Sequence, residues 1–124
     1  MDNQDKEIFK LKNLEEYKKW INEQNWYQTI RLKEGLVTPG KLNTDFRIAW
    51  LDKFDFINKS VLDIGCNSGQ YSLYAKNAGA SSVTGLDINQ NRIYQAKMLA
   101  LNEGLDVDFH LAGIEQAADF GKFD

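Results

Sequence analysis

Residues 61–71, which read VLDIGCNSGQY, constrain the fold more than any other part of the chain. The apolar-rich run that ends at Ile64 predicts a short buried strand, and the residues after Gly69 predict the start of a helix. Glycine at positions 65 and 69 permits positive φ and lets a ligand approach the backbone, while a helix start offers unpaired N–H donors. The pattern therefore predicts a tight turn that holds a polar ligand.

The residues that follow repeat this alternation of strand and helix. Glycine and apolar spacing predict a helix from 69 to about 79, a strand over 82–87, a helix over 90–102 and a third strand over 106–111. Such a βαβαβ unit has parallel strands joined by right-handed crossovers. The predicted fold class is α/β, a Rossmann-like parallel sheet over residues 59–124.

Residues 1–58 are predicted to form a helical lead-in to this sheet. Apolar residues recur at helical spacing from about 13 to 24 and from about 42 to 56, on either side of the single proline, Pro39. The segment 26–40 between them predicts irregular or short extended structure.

Aromatic residues are frequent in this lead-in and could stack on a nucleobase, but core packing explains most of them better. Trp20, Phe46 and Trp50 are expected to pack in the core between the leading helices and the sheet. Trp26 and Tyr27 lie outside the periodic patterns and could form a lid.

The composition indicates one domain without a structural metal. The chain has 124 residues, of which 43% are hydrophobic, and this suffices for one packed core. Its single cysteine, Cys66, and single histidine, His110, cannot complete a structural zinc site, so no metal site is predicted. Cys66 could be read as a nucleophile, but no base is predictable near it, and no catalytic residue can be named.

Charge and hydropathy bear on the partners. The net charge of −3 argues against a chain that coats nucleic acid over its whole surface. The sequence contains no apolar run that could span a membrane, and residues 1–7 lack the apolar stretch of a secretory signal. We expect a soluble cytoplasmic protein without a membrane partner.

An acid follows the second strand of the unit. Asp87 lies twenty-four residues after Asp63, at a strand end where a carboxylate can accept hydrogen bonds from both hydroxyls of a ribose. An ordinary strand-to-helix connection would explain the glycine turn alone. The coincidence of strand, turn, helix and acid favours a nucleoside cofactor.

The first turn indicates which cofactor this is. A nicotinamide-binding turn normally has the pattern G-x-G-x-x-G, whereas this chain has Gly65 and Gly69 without the third glycine and places Asp63 just before them. An acid is poorly placed beside a pyrophosphate but can pair with a cation. S-adenosyl-L-methionine carries an amine and a sulfonium, and it is the predicted cofactor.

At these residues the sequence resembles the class I S-adenosylmethionine-dependent methyltransferases, whose first motif has the form [VIL]-L-D-x-G-C-x-x-G and whose second strand ends in an acid. Asn67 stands where many members have glycine, and asparagine tolerates the left-handed conformation. The cofactor-binding residues that this match implies are Asp63, Gly65, Cys66, Asn67, Ser68, Gly69 and Asp87.

A narrower resemblance comes from the flanks and covers about residues 26–124. Trp26–Ile30, Gly35–Gly40 and Gly113–Gln116 are similar to segments of the tRNA wobble-uridine methyltransferase-like family. That resemblance implies that Ile114 and Glu115 flank the adenine, that Asp87, Ile88 and Asn89 hold the ribose, and that a tRNA base is a candidate acceptor.

Two functional hypotheses follow. The first is a methyltransferase acting on an unidentified nucleophile, such as a tRNA base or a small molecule. The second is a non-catalytic cofactor-binding module that needs further chain or an oligomeric partner. The family sheet continues beyond a third strand, so we expect truncation before strand 4 and a first strand whose unpaired edge invites self-association.

Overall fold

The computed structural model describes residues 6–124, so the first five residues of the predicted lead-in lie outside the described part. The elements of the lead-in are helix α1 (Leu14–Glu23), strand β1 (Gln28–Thr29), a 3₁₀ turn (Lys33–Gly35), strand β2 (Leu42–Asn43) and helix α2 (Asp45–Leu51). The remaining elements are strand β3 (Ser60–Ile64), helix α3 (Gln70–Asn77), strand β4 (Ser82–Asp87), helix α4 (Gln90–Glu103), strand β5 (Asp108–Leu111) and a 3₁₀ helix (Ile114–Phe120).

The main sheet is parallel, with the strand order β3-β4-β5. Its central strand β4 is buried from Val83 to Leu86, which explains why this segment is nearly all apolar or small. Helices α3 and α4 are the crossovers that parallel pairing requires. The predicted α/β class and βαβαβ order are confirmed, although the third strand begins at Asp108 rather than at 106.

The core lies between α4 and the leading helix. Helix α1 buries Tyr17, Trp20 and Ile21, which recur on one face at helical spacing. Trp20 packs edge-on against Trp26, with 5.7 Å between ring centroids, and against Tyr94 of α4 at 6.1 Å. From α4 the core receives Ile93, Ala96, Met98, Leu99 and Ala100.

The predicted helix over 42–56 is wrong at both ends. Leu42 and Asn43 form strand β2, which pairs in parallel with β1, and α2 covers only Asp45–Leu51. Local side-chain bonds compete with the helix: the Asn43 Oδ1 accepts the N–H of Asp45 at 2.9 Å, and the Asp55 Oδ1 accepts the N–H of Ile57 at 3.0 Å. The irregular or extended structure expected over 26–40 is confirmed.

The aromatic expectations divide. Trp20 is buried as predicted, whereas Phe46 and Trp50 are 67% and 57% exposed and α2 buries no residue at all. The prediction that they lie in the core was wrong. Apolar residues at helical spacing predict that a helix has an apolar face, but they do not show which part of the chain packs against that face. Trp26 is buried and donates its indole N–H to the carbonyl of Ile21 at 2.7 Å, so it is a core residue rather than a lid.

Strand β3 pairs with β4 on one side, and Asp124 lies against its other edge. The carbonyl of Lys59 accepts the N–H of Ser81 on the β4 side, so the backbone of Ser60 faces away from β4. The N–H of Ser60 donates to the Asp124 Oδ2 at 2.7 Å, and the N–H of Asp124 donates to the carbonyl of Ser60 at 3.0 Å. Within residues 6–124, no other part of the chain adds a strand to this edge, and no helix is long and apolar enough to cross a bilayer.

Candidate functional site

The turn after β3 has the backbone that its glycines require. Gly65, Asn67 and Gly69 have φ values of +71°, +54° and +91°, so three of its five residues are left-handed. The N–H of Cys66 donates to the carbonyl of Leu86 at 2.8 Å, which fastens the turn to β4. The tolerance of asparagine for this conformation, expected for position 67, is confirmed.

The two glycines serve different purposes. A Cβ on Gly69 would lie 2.8 Å from the Phe109 ring and 3.2 Å from the Ala96 side chain, so this glycine allows close packing inside the protein. A Cβ on Gly65 would meet nothing within 4 Å. Gly65 therefore leaves open space at the carboxyl end of β3, where ligands bind in open α/β sheets.

Asp87 is held by two backbone donors and keeps acceptor capacity. Its Oδ2 accepts the N–H of Asn67 at 2.9 Å, and its Oδ1 accepts the N–H of Asn89 at 2.8 Å. Each carboxylate oxygen has a second lone pair, so both can accept a further hydrogen bond. These two acceptor oxygens fit the two hydroxyls of a ribose, which would donate to them. Asn89 also caps α4 by accepting the N–H of Arg92, and Ile88, which lies between Asp87 and Asn89, is 79% exposed.

Asp63 is a second carboxylate on the turn side of β3. Its Oδ2 accepts the hydroxyl of Ser72 at 2.7 Å, a partner on α3 that sequence reasoning missed. Burial raises the pKa of Asp63, the Ser72 hydrogen bond opposes that rise, and the charge of Asp87 adds to it. Two carboxylates near one turn favour a cationic group, which fits the methionine end of S-adenosylmethionine.

The side chains of Cys66 and Ser68 point into the protein. Both residues are buried, and the Ser68 hydroxyl donates to the Gln95 Oε1 at 2.7 Å. Burial raises the pKa of the Cys66 thiol, and the charges of Asp63 and Asp87 raise it further, so the thiol stays protonated. These positions can meet a ligand through their backbone only, and Cys66 is unsuited to nucleophilic attack.

The segment after β5 lies beside Asp87. The N–H of Ala112 donates to the carbonyl of Asp87 at 3.0 Å, which brings the start of the 3₁₀ helix to the same end of the sheet. Ile114 is exposed there, and the carboxylate of Glu115 folds over Gly113, where a Cβ would lie 2.5 Å from it. The structure thus gathers the residues predicted from motif and resemblance at the carboxyl ends of three strands.

A cavity of about 410 Å³ adjoins Asp63 along the free edge of β3. Its walls are mainly apolar, and Arg47 and Tyr71 contribute the polar groups with a guanidinium to phenol distance of 3.5 Å. Sequence reasoning singled out neither residue. Within residues 6–124, no group of three His, Cys, Asp or Glu side chains could hold a metal ion.

Comparison with known proteins gives consistent matches. A family model described as a methyltransferase domain matches residues 61–124. The ribosomal protein L11 methyltransferase of Chromobacterium violaceum is 36% identical over 93 residues, which are 73% of this chain and 31% of that protein. The chain therefore spans about a third of the length of this curated relative.

Two solved structures share the fold. The ribosomal protein L11 methylase from Lactobacillus delbrueckii subsp. bulgaricus superposes with a TM-score of 0.56 at 27% identity, covering 63% of this chain and 42% of that one. TehB from Haemophilus influenzae gives a TM-score of 0.55 at 27% identity, covering 65% of this chain and 27% of that one. In both comparisons the matched region is less than half of the solved chain.

Proposed function

The chain belongs to the methyltransferase domain family, and from that membership we propose that it is the cofactor-binding portion of a class I methyltransferase that uses S-adenosyl-L-methionine. Residues 59–124 would form the Rossmann-like half domain, and residues 1–58 the lead-in that borders it. The observation that carries this proposal is Asp87, which is fixed to the glycine turn by Asn67 yet keeps acceptor capacity on both oxygens.

The proposed residue roles divide between the ends of the cofactor. Asp87 and the backbone at Ile88 and Asn89 would hold the ribose, while the Asp63 carboxylate would attract the positively charged methionine end. Ile114, exposed beside Asp87, would cover one face of the adenine, with Glu115 next to it. Backbone groups from Gly65 to Gly69 would line the space between the two carboxylates.

When bound, the cofactor would supply a methyl group on a sulfonium. A nucleophile of the acceptor would bond to the methyl carbon as the carbon–sulfur bond breaks, and S-adenosylhomocysteine would be the leaving group. This chain would contribute alignment, because the turn and the two acids would fix the position of the reactive end. The protonated Cys66 thiol has no covalent role in this scheme. Holding two reactants in line is itself a large part of the catalysis such a domain can provide.

The acceptor is proposed from the relatives rather than from the narrower resemblance. The relatives named above include two ribosomal protein L11 methylating enzymes, and they do not support membership of the tRNA wobble-uridine family. We therefore propose a protein nucleophile on a ribosomal protein as the first acceptor to test. A tRNA base is the second, and it is supported by the resemblance of the flanking segments described above.

The non-catalytic module remains the alternative function. Within residues 6–124, Asp124 pairs with the edge of β3 that faces away from β4. In this alternative, further chain, a partner or a second copy would complete the sheet. Self-association and a cytoplasmic location both stay predictions.

Titration calorimetry and methyl transfer test the proposal together. The protein is titrated with S-adenosylmethionine, S-adenosylhomocysteine and NAD, then incubated with methyl-labelled cofactor and either L11 or bulk tRNA. Binding of the two sulfur compounds with label in L11 supports the enzyme, and binding without label in either acceptor favours the module. Binding of NAD alone would contradict the cofactor assignment.

A further inference from the structure

Two buried glutamines flank the glycine turn and reach the same stretch of the lead-in. Gln70 is the first residue of α3 and is 5% exposed, and Gln95 on α4 is 0% exposed. The side-chain amide of Gln95 donates to the carbonyl of Asn25 at 2.9 Å, and that of Gln70 donates to the carbonyl of Thr29 at 3.1 Å. Residues 25–29, called here the clasped segment, are thus held at both ends.

The other ends of these glutamines are also bonded. The Gln95 Oε1 accepts the hydroxyl of Ser68 at 2.7 Å and the guanidinium of Arg92 at 3.1 Å. The Gln70 Oε1 accepts the hydroxyl of Thr44, which is fully buried at the start of α2. If the clasped segment moved away, the buried side-chain amides of Gln70 and Gln95 would lose their carbonyl acceptors.

A continuous set of bonds therefore joins the lead-in to the acid of the site. It runs from the carbonyl of Asn25 through Gln95 to Ser68, and Ser68 follows Asn67, whose N–H binds Asp87. Asn67 has a left-handed φ of +54°, which sets the course of the chain from Asn67 into Ser68. A shift of Ser68 would disturb the one backbone donor that links the turn to Asp87.

We infer that Gln70 and Gln95 are positioning residues that make the order of the clasped segment and the affinity for S-adenosylmethionine depend on each other. The inference rests on the proposed cofactor site. Coupling between two sites is reciprocal. If the hydrogen bonds from Gln70 and Gln95 to the clasped segment raise the affinity for the cofactor, cofactor binding must stabilise the clasped segment by the same free energy. The lead-in then contributes to cofactor affinity through residues 25–29.

Asn102 supplies a matched control on the same helix. It is 4% exposed, accepts the N–H of Leu11 at 2.8 Å and donates to the carbonyl of Met98 at 2.9 Å. It ties the chain before α1 to α4, as Gln95 ties the clasped segment, but its bonds do not reach the turn. Loss of Asn102 tests what any buried amide contributes to stability alone.

The experiment compares Gln70→Met, Gln95→Met, Gln95→Glu and Asn102→Leu with the parent chain by titration calorimetry and thermal unfolding. We expect each methionine variant to bind S-adenosylmethionine about tenfold or more weakly. Gln95→Glu keeps the acceptor for Ser68 and Arg92, so its Kd should lie between those of the parent chain and Gln95→Met. Asn102→Leu should lower the Tm comparably and leave the Kd within about twofold.

Hydrogen exchange on the parent chain keeps the inference testable if a variant fails to fold. Adding S-adenosylmethionine should slow exchange of the amides in residues 25–29. Unchanged exchange there would contradict the inferred coupling without contradicting the cofactor site. The same holds if Asn102→Leu weakens cofactor binding as much as the methionine variants do. Failure of the parent chain to bind S-adenosylmethionine would instead overturn the proposed function, and the clasp with it.

Discussion

The Asp87 carboxylate accepts the backbone N–H of Asn67 at 2.9 Å, and this bond joins the end of β4 to the turn that follows β3. Asn67 has a left-handed φ of +54°, so the chain turns sharply after this N–H on its way to α3. Strand and turn are otherwise connected by the bond from Cys66 to the carbonyl of Leu86. Asp87 is therefore both a candidate ligand for ribose and a support for the turn.

Asp87→Ala should weaken S-adenosylmethionine binding by about 1.5–3 kcal/mol, the scale of a lost hydrogen bond to a charged group. That loss corresponds to a roughly 10- to 150-fold higher Kd in a calorimetric titration. Asp106→Ala is the control, since Asp106 is an exposed acid before β5. Equal affinity of a folded Asp87→Ala variant and the parent chain would remove Asp87 from the site.

Gly65→Ala and Gly104→Ala form a matched pair. Both glycines have φ near +70°, at +71° and +72°, and a Cβ at either would meet nothing within 4 Å. Each variant should lose about 1–2 kcal/mol of stability from left-handed strain. Only Gly65→Ala should also raise the Kd for S-adenosylmethionine, and Gly65→Val should abolish binding. Identical cofactor affinities in the two alanine variants would show that the ligand does not approach Gly65.

The sheet and the turn could be predicted because their causes are local. The apolar runs of β3 and β4, the glycines and the caps of α4 each act through neighbouring residues. The two-residue strands β1 and β2 could not be found, since two residues carry no periodicity. Gln70 and Gln95 were missed because glutamine on a helix normally indicates a solvated face, and only their distant partners explain their burial.

The start of the 3₁₀ helix Ile114–Phe120 also depends in part on a contact between residues that are distant in the sequence. Its start is fixed by the Gln116 side chain, whose Oε1 accepts the N–H of Gly113 at 2.8 Å, and by the bond from Ala112 to Asp87. The first is a short-range bond that sequence could suggest, and the second joins the residue after β5 to the last residue of β4. Resemblance supplied Ile114 and Glu115 as candidates where periodicity offered nothing.

Gly85→Ala should destabilise the fold without a change in ligand chemistry. A Cβ at position 85 of β4 would lie 2.6 Å from the Phe109 ring, which is itself buried in the core. Overpacking of this kind costs about 1–3 kcal/mol, measurable by denaturant unfolding. Phe109→Leu made in the same chain should recover part of this loss. The double variant should therefore lose less free energy of unfolding than the sum of the losses in the two single variants. Strict additivity would mean that the two residues do not collide.

Asp63 should give stability and cofactor affinity opposite dependences on pH. Burial raises its pKa in the folded chain, so between its ordinary and raised values the folded state holds a proton that the unfolded state has released. Stability therefore falls as pH rises through that window, whereas S-adenosylmethionine affinity rises because its cationic end favours the carboxylate. Asp63→Asn should flatten both curves, and Ser72→Ala, which removes the bond that lowers this pKa, should move the affinity curve to higher pH. Calorimetric titrations across a pH series test this. If Ser72→Ala does not change the pH dependence of S-adenosylmethionine affinity, Asp63 does not take part in cofactor binding.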